Sequence, residues 1–376
     1  MRLSSIIPGL IIAALTALGA TAAHAACERG GGAWLDLSTV PELQTKPMHP
    51  LSGLVYDARA GALLGACTEQ ALGALSDVLA GRLTEGSAPR FIVLGEVHDN
   101  AVDHALRAAL LRSLFATSDT PRPRLVFEHI RADQLAALQL INERIAQGVA
   151  VPVAEFFEVL DWQNSGWPQQ AMFAPLFAAA LELRLPMRAG EPSRDVVRTI
   201  SKQGLSALPS DDLLRARLEV PLSPPLQDAL LDELEQSHCG LMPKQRFTNM
   251  AVAQRYRDAT MAEQLLAAAQ SQGAAILFAG NGHARIDRGV PSLFGAGGLA
   301  GTVTSVMLLE VEDGNTDPAS YVPAIRLARR PSISSCSRRV RRAKIRALKC
   351  ASSSANGKQP IKRRVRALSS CGMVWL

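Results

Sequence analysis

Four short apolar runs, each ending in a polar motif, constrain this chain more than any other feature. Phe91–Leu94 runs into Gly95-Glu96-Val97-His98-Asp99-Asn100, and Arg124–Phe127 into Glu128-His129. Met187–Ala189 runs into Gly190-Glu191-Pro192-Ser193-Arg194, and Ala275–Ala279 into Gly280-Asn281-Gly282-His283-Ala284-Arg285. A fifth apolar run, Thr302–Val311, follows. Between them lie helical patterns at Val102–Phe115, entered through Asp99 or Asn100 as cap, at Ala132–Gln147 and at Met172–Leu183. Short strands joined by helices of this length need right-handed crossovers, so the expected fold is α/β, a mostly parallel sheet with helices on both faces. Ligands in such sheets bind beyond the carboxyl ends of the strands. Three glutamates, three histidines and two arginines are thereby delivered to one edge.

The flanks read differently. Met1–Ser5 carries one positive charge, Ile6–Leu18 is almost wholly apolar, and Ala23-His24-Ala25 offers a peptidase site. Residues 1–25 are therefore expected to be a secretory signal peptide, with an uncleaved anchor as the alternative. The chain is placed in the periplasm or at the outer membrane. Lipid anchoring at Cys27 is the weaker option, because His24 stands where a lipoprotein signal wants Leu. Residues 26–330 form the folded body. Within it, residues 27–88 read as an irregular lead-in and a helix, Glu69–Arg82, while residues 193–272 read as an inserted helical lid or subdomain with Pro-containing loops.

Residues 331–376 form a basic, low-complexity tail expected to be disordered. The chain's net charge of +6 belongs to that tail, which holds 12 Lys/Arg and no Asp/Glu and so leaves −6 for residues 1–330. An acidic body excludes nucleic acid as its partner. Of six cysteines, three lie in the tail. Cys27 with Cys67 is a reasonable disulfide, and Cys239 sits in a polar loop.

Imidazole beside carboxylate suits both borderline divalent metals and acid–base work near neutral pH. Gly-x-x-His occurs twice, at Gly95–His98 and Gly280–His283, and glycine there allows a sharp turn that projects the histidine over the strand end. His104, on the first helix one and a half turns after His98, leans toward this site or faces solvent. His238-Cys239-Gly240 breaks two helices and is either a structural loop or a lid contact. The chain contains no G-x-S-x-G elbow, no phosphate-binding G-x-x-x-x-G-K-[ST] and no H-E-x-x-H helix.

Taken in order, Leu94–Asn100, Phe127–His129, Asp161–Pro168, His238–Gly240, Gln254–Ala262 and Gly280–Arg285 resemble the ChaN-like haem-binding uptake family of the Tiki superfamily, from about Trp34 to about Val322. The resemblance implies an exported α/β protein of haem or iron acquisition, often an outer-membrane lipoprotein. Two departures stand out: Asp103-His104 replaces a frequent His-His pair, and the lipobox is poor. Haem needs a flat apolar slot and an axial donor. The residues offered as haem contacts are His98, His104, His129, His238, Tyr256, His283 and Arg285. Trp162 and Trp167 wall a pocket or pack as core. The partners this reading admits are haem, outer-membrane uptake machinery and a second copy of the chain in a homodimer.

The wider superfamily includes metal-dependent proteases and erythromycin-esterase-like hydrolases. The alternative it implies is a hydrolase whose divalent metal, such as zinc or manganese, is held by Glu96, His98, Glu128 and His283. Glu96 or Glu128 would then be the general base. Family resemblance, not the donor chemistry, tips the choice toward haem.

Overall fold

The computed structural model describes residues 49–322, apart from 66, 117–121, 213, 239, 241, 298 and 300, together with 372–375. The proposed signal peptide, Cys27, Cys239 and most of the basic tail lie outside the described residues. Five parallel strands form the centre of the sheet, in the order β7 (Val303–Glu310), β3 (Arg90–Leu94), β6 (Ala274–Phe278), β4 (Arg124–Arg131) and β5 (Met187–Glu191). The fold is the expected α/β class.

Strand alternation divides the core in two. Ile92, Leu94, Leu125, Phe127, Ile276 and Phe278 face a layer built from α1 (Thr68–Thr84), α2 (Ala101–Leu114), α3 (Leu135–Ala146), α4 (Val153–Val159) and α5 (Gln170–Glu182). Phe91, Val93, Val126, Ala275 and Leu277 face the opposite way, onto Met261, Ala262, Leu265, Ala268 and Ala269 of the long helix α9 (Thr248–Gln272). Asn100 is the cap of α2, its side chain accepting the Val102 N–H.

The region 193–272 is helical throughout its ordered elements, but they are not equivalent. Helix α9 lies on β4, β5 and β6, whereas α6 (Arg194–Gln203), α7 (Arg215–Glu219) and α8 (Pro224–Ser237) pack against α9.

The lead-in contains structure that its turn-rich sequence did not show. Val55–Asp57 (β1) and Ala62–Leu64 (β2) form an antiparallel hairpin, its turn fixed by Asp57 accepting the N–H groups of Arg59 and Ala60 and by Gly61 at φ +70°. The last four described residues, Gly372–Trp375 (β8), lie between β1 and β7, parallel to the former and antiparallel to the latter. The tail read as disordered therefore ends in a strand, while its residues 331–371 lie outside the described residues. Cys67 is disulfide-bonded, and every other cysteine lies outside the described residues. Among the described residues no helix is long and apolar enough to cross a membrane.

Candidate functional site

Strand β4 runs four residues further than the apolar pattern implied, through Glu128 and His129 to Arg131, and this extension organises the site. Successive side chains of a strand point to opposite faces. Glu128 and His129, adjacent in sequence, therefore enter two different networks on the two sides of the sheet edge.

The first network surrounds Glu96 on the α2/α5 side. Its Oε2 pairs with the Arg107 guanidinium and lies 2.9 Å from His104 Nδ1. Its Oε1 lies 2.8 Å from both His98 Nδ1 and His129 Nε2. Glu96, His104, Arg107 and His129 are all buried. His104 Nε2–H donates to the His98 carbonyl at 3.1 Å, and Arg107 Nη2 donates to His104 Nδ1 at 2.8 Å, which fixes the tautomer by geometry. His104 thus holds the backbone that presents His98. Burial drives the imidazole of His104 down to about 4 and that of His129 well below the ordinary range, so both are neutral. Phe173 packs on His104 at 4.1 Å and on His129 at 5.0 Å between ring centroids.

The second network surrounds Glu128 on the α9 side. Gly280 N–H donates to its Oε2 and Arg257 Nη2 to its Oε1, both at 2.6 Å, and His283 Nε2 lies 3.3 Å from Oε1. Arg257 also binds Glu191 at 2.6 Å, and His283 Nδ1 binds Asp258 at 2.6 Å. Burial pushes the Glu128 carboxyl up, but His283, His98 and Arg257 outweigh it and hold the group well below the usual carboxylate range. Burial likewise opposes charge on His283, yet Glu128 and Asp258 prevail and raise it to about 9. Burial raises both Asp258 and Glu191. A carboxylate held as low as Glu128 takes a proton poorly, which weakens it as a general base.

His98 joins the two networks. Its Nδ1 faces Glu96, its Nε2 lies 3.8 Å from Glu128 Oε1, and its side chain is 40% exposed. The ring lies 4.9 Å from Trp167, which also covers His129 at 4.8 Å. The loop carrying Trp167 is pinned through the Ser165 carbonyl, which accepts from Arg194 at 2.7 Å and Arg131 at 3.4 Å.

The two Gly-x-x-His motifs interlock. A Cβ on Gly95 would stand 2.3 Å from Asn281 Oδ1, and one on Gly280 would stand 2.7 Å from His98 Cε1. Each glycine makes room for a side chain of the other motif. Asn281 completes the join by donating its N–H to the Glu96 carbonyl and its Nδ2 to the Leu308 carbonyl.

Of the residues expected at the site, Glu96, His98, His104, Glu128, His129 and His283 come together. Three others make their described contacts elsewhere. Tyr256 packs among Ile200, Leu208, Leu218 and Ala253 and hydrogen-bonds Asp212. His238 Nδ1 hydrogen-bonds the Leu234 carbonyl, and its ring packs on Phe247. Arg285 pairs with Asp287. The four residues expected to share one metal are divided, with Glu96 in one network, Glu128 and His283 in the other and His98 between.

The guanidinium groups inside the cluster are Arg107, which sequence reasoning missed, and Arg257, which the resemblance offered only as a partner for haem propionates and which binds Glu128 and Glu191 instead. Helical spacing offered a signal: Gln254, Arg257, Asp258 and Met261 share one face of α9, and His104 and Arg107 share one of α2, while Tyr256 falls off the α9 stripe.

A family profile described as haem-binding uptake, Tiki superfamily, ChaN matches residues 83–294, which span both networks. The chain belongs to this family. A solved structure described as "Cofacial heme binding to ChaN of Campylobacter jejuni" is similar at 15% sequence identity, covering 65% of this chain and 86% of that one, with a TM-score of 0.50. At that identity the likeness speaks for the fold. No curated protein matches the chain.

The ChaN-family cluster makes stability pH-dependent on the alkaline side. His283 binds its proton up to about 9 in the folded state, against about 6.5 when unfolded, so its contribution is complete below 6.5 and lost as pH rises through 9. Burial raises Asp103 to about 8, which gives the same sign. Urea unfolding should show stability falling between pH 6.5 and 9 by on the order of 3–5 kcal/mol, with a shallower slope in His283→Gln. A flat profile there would refute the charged His283.

Proposed function

We propose that this protein is exported and binds haem over His98 at the carboxyl edge of the sheet, in the service of haem or iron uptake. Family membership supports the ligand class, and the similar Campylobacter jejuni protein is described as binding heme cofacially. The observation that carries the site is the contrast among the imidazoles. His104, His129 and His283 are buried, whereas His98 is partly exposed and has its Nδ1 tied to a buried carboxylate.

A carboxylate on the far nitrogen fixes a ligating histidine's tautomer and raises its basicity, which leaves Nε2 as the donor to iron. Trp167 supplies a flat apolar wall beside it. Bound haem would supply an iron centre able to take an imidazole nitrogen; the chain's part is to aim the His98 ring by its Nδ1 contact with Glu96. Export rests on the apolar N-terminus followed by Ala23-His24-Ala25. Outer-membrane uptake machinery and a second copy of the chain are the partners this reading admits. Hydrolysis by Glu96 or Glu128 is the weaker reading, because both carboxylates are buried and committed to cations.

Hemin titration followed by the Soret band tests the assignment. The His98→Ala variant should lose more than the roughly 10–100-fold that follows removal of a ligand's outer partner. Tyr256→Phe should leave the band unchanged. The opposite outcome, a Soret band lost with Tyr256 and indifferent to His98, would move the haem away from this edge.

A further inference from the structure

We propose that Glu96 Oε1, His98 Nδ1 and His129 Nε2 form a divalent-cation site beneath the proposed haem position, and that the cation and haem compete for His98. Suitable donor atoms of the three residues lie within 4.8 Å of one another. Both imidazole nitrogens stand 2.8 Å from the same carboxylate oxygen, a spacing close to that of neighbouring ligands around a metal about 2.0–2.2 Å from each. Two histidines and one carboxylate with positions left open is the donor set of catalytic zinc and of non-haem ferrous iron. The remaining positions would face the part-exposed side of His98.

The cluster divides its own carboxylate accordingly. Arg107 pairs with Oε2 and at the same time donates to His104 Nδ1. Glu96 is thus held by the guanidinium on one side, while its other oxygen meets His98 and His129. His129 Nδ1 is buried without a hydrogen-bond partner. No acceptor or donor fixes the ring's tautomer from behind, so the proton can sit on Nδ1 and leave Nε2 as a ligand. Lack of that outer partner also predicts affinity about 10–100-fold below that of a site with a completed outer shell.

The competition follows from the His98 ring. Haem ligation needs its proton on Nδ1, donating to Glu96, with the Nε2 lone pair directed at iron. A cation on Nδ1 needs the reverse, and Nε2–H is no ligand. The two occupants therefore select opposite tautomers of one side chain. This second part rests on the haem reading above, whereas the cation site itself does not.

The full-length protein should be titrated with Co2+, read by its visible d–d absorption, and with Zn2+, read by calorimetry. One equivalent is expected, with affinity falling at least about tenfold in His129→Gln, which retains a donor toward Glu96 but is a poor ligand. Circular dichroism of that variant checks that it is folded. Saturating Zn2+ should weaken hemin binding in the wild type and not in His129→Gln. Absence of cation binding to folded wild-type protein, or equal binding by His129→Gln, overturns the site. Cation binding without any effect on hemin overturns the competition. Cation binding in a protein that never binds hemin sinks the haem reading and leaves the cation site standing.

Discussion

Replacing Glu96 by Gln should lower the unfolding free energy by about 3–5 kcal/mol, the loss found when one member of a buried ion pair is removed. Arg107 is fully buried, and Glu96 is the carboxylate in direct contact with it. Glutamine can accept a hydrogen bond but cannot neutralise the guanidinium, so a charge would remain inside the α2/α5 layer without its counterion. A loss of that size is a third or more of the stability of an ordinary domain. The same change also unseats His98 and His129, which both donate to Glu96 Oε1.

Adding Arg107→Met separates these effects. With the orphaned cation gone, most of the lost stability should return, because an apolar replacement of a buried pair is often close to neutral. Guanidinium unfolding would show the midpoint falling in Glu96→Gln and recovering in the double variant, with the slope unchanged. A single-variant loss below about 1 kcal/mol would mean that the pair does not hold this layer together. A double variant no better than the single would assign the loss to the histidines instead.

The contrast between Glu96 and its cation also shows which parts of the site the sequence made legible. The apolar runs and the motifs after them were readable because strand-end polar residues in a parallel sheet have one place to go. Glu96, His98 and His283 are found there. Arg107 and Arg257 were not readable in the same way, since they sit inside helices, where an arginine looks solvated until its partner is known.

The β4 extension escaped for a different reason. Glu128-His129 breaks the apolar run, and a polar pair normally ends a buried strand. Here each residue finds a partner on its own face, Arg257 for Glu128 and Glu96 for His129, so pairing with β5 continues to Arg131. The hairpin before α1 had only three-residue strands, too short to show a period. The family motif Gln254–Ala262 drew attention to its tyrosine, the residue whose chemistry suits haem. Helical geometry instead gives the sheet edge to Gln254, Arg257 and Asp258.

Gly280→Ala should abolish hemin binding as thoroughly as His98→Ala while leaving the protein folded. The new Cβ would stand 2.7 Å from His98 Cε1 and 2.8 Å from its Nε2, well inside contact distance, and the next atom, Glu128 Oε2, lies 3.6 Å away. The clash therefore falls on one side chain. That side chain is 40% exposed and can swing toward solvent, so the cost to stability should stay within the roughly 1–3 kcal/mol typical of overpacking.

Swinging breaks the Nδ1 bond to Glu96 and takes Nε2 off the sheet edge, which is the whole of the proposed ligand geometry. Gly95→Ala makes the informative comparison. Its Cβ would meet Asn281 Oδ1 at 2.3 Å and the Val306 carbonyl at 3.1 Å, and Asn281 is anchored by its bonds to Glu96 and Leu308. That clash has no solvent to escape into and should appear mainly as lost stability. The decisive measurement is hemin affinity in Gly280→Ala with His98→Ala. If the glycine acts only by making room for His98, the double variant binds no worse than either single one. A further loss in the double variant would show that Gly280 meets the ligand directly, with the haem lying on the Gly280 side of the edge rather than over His98.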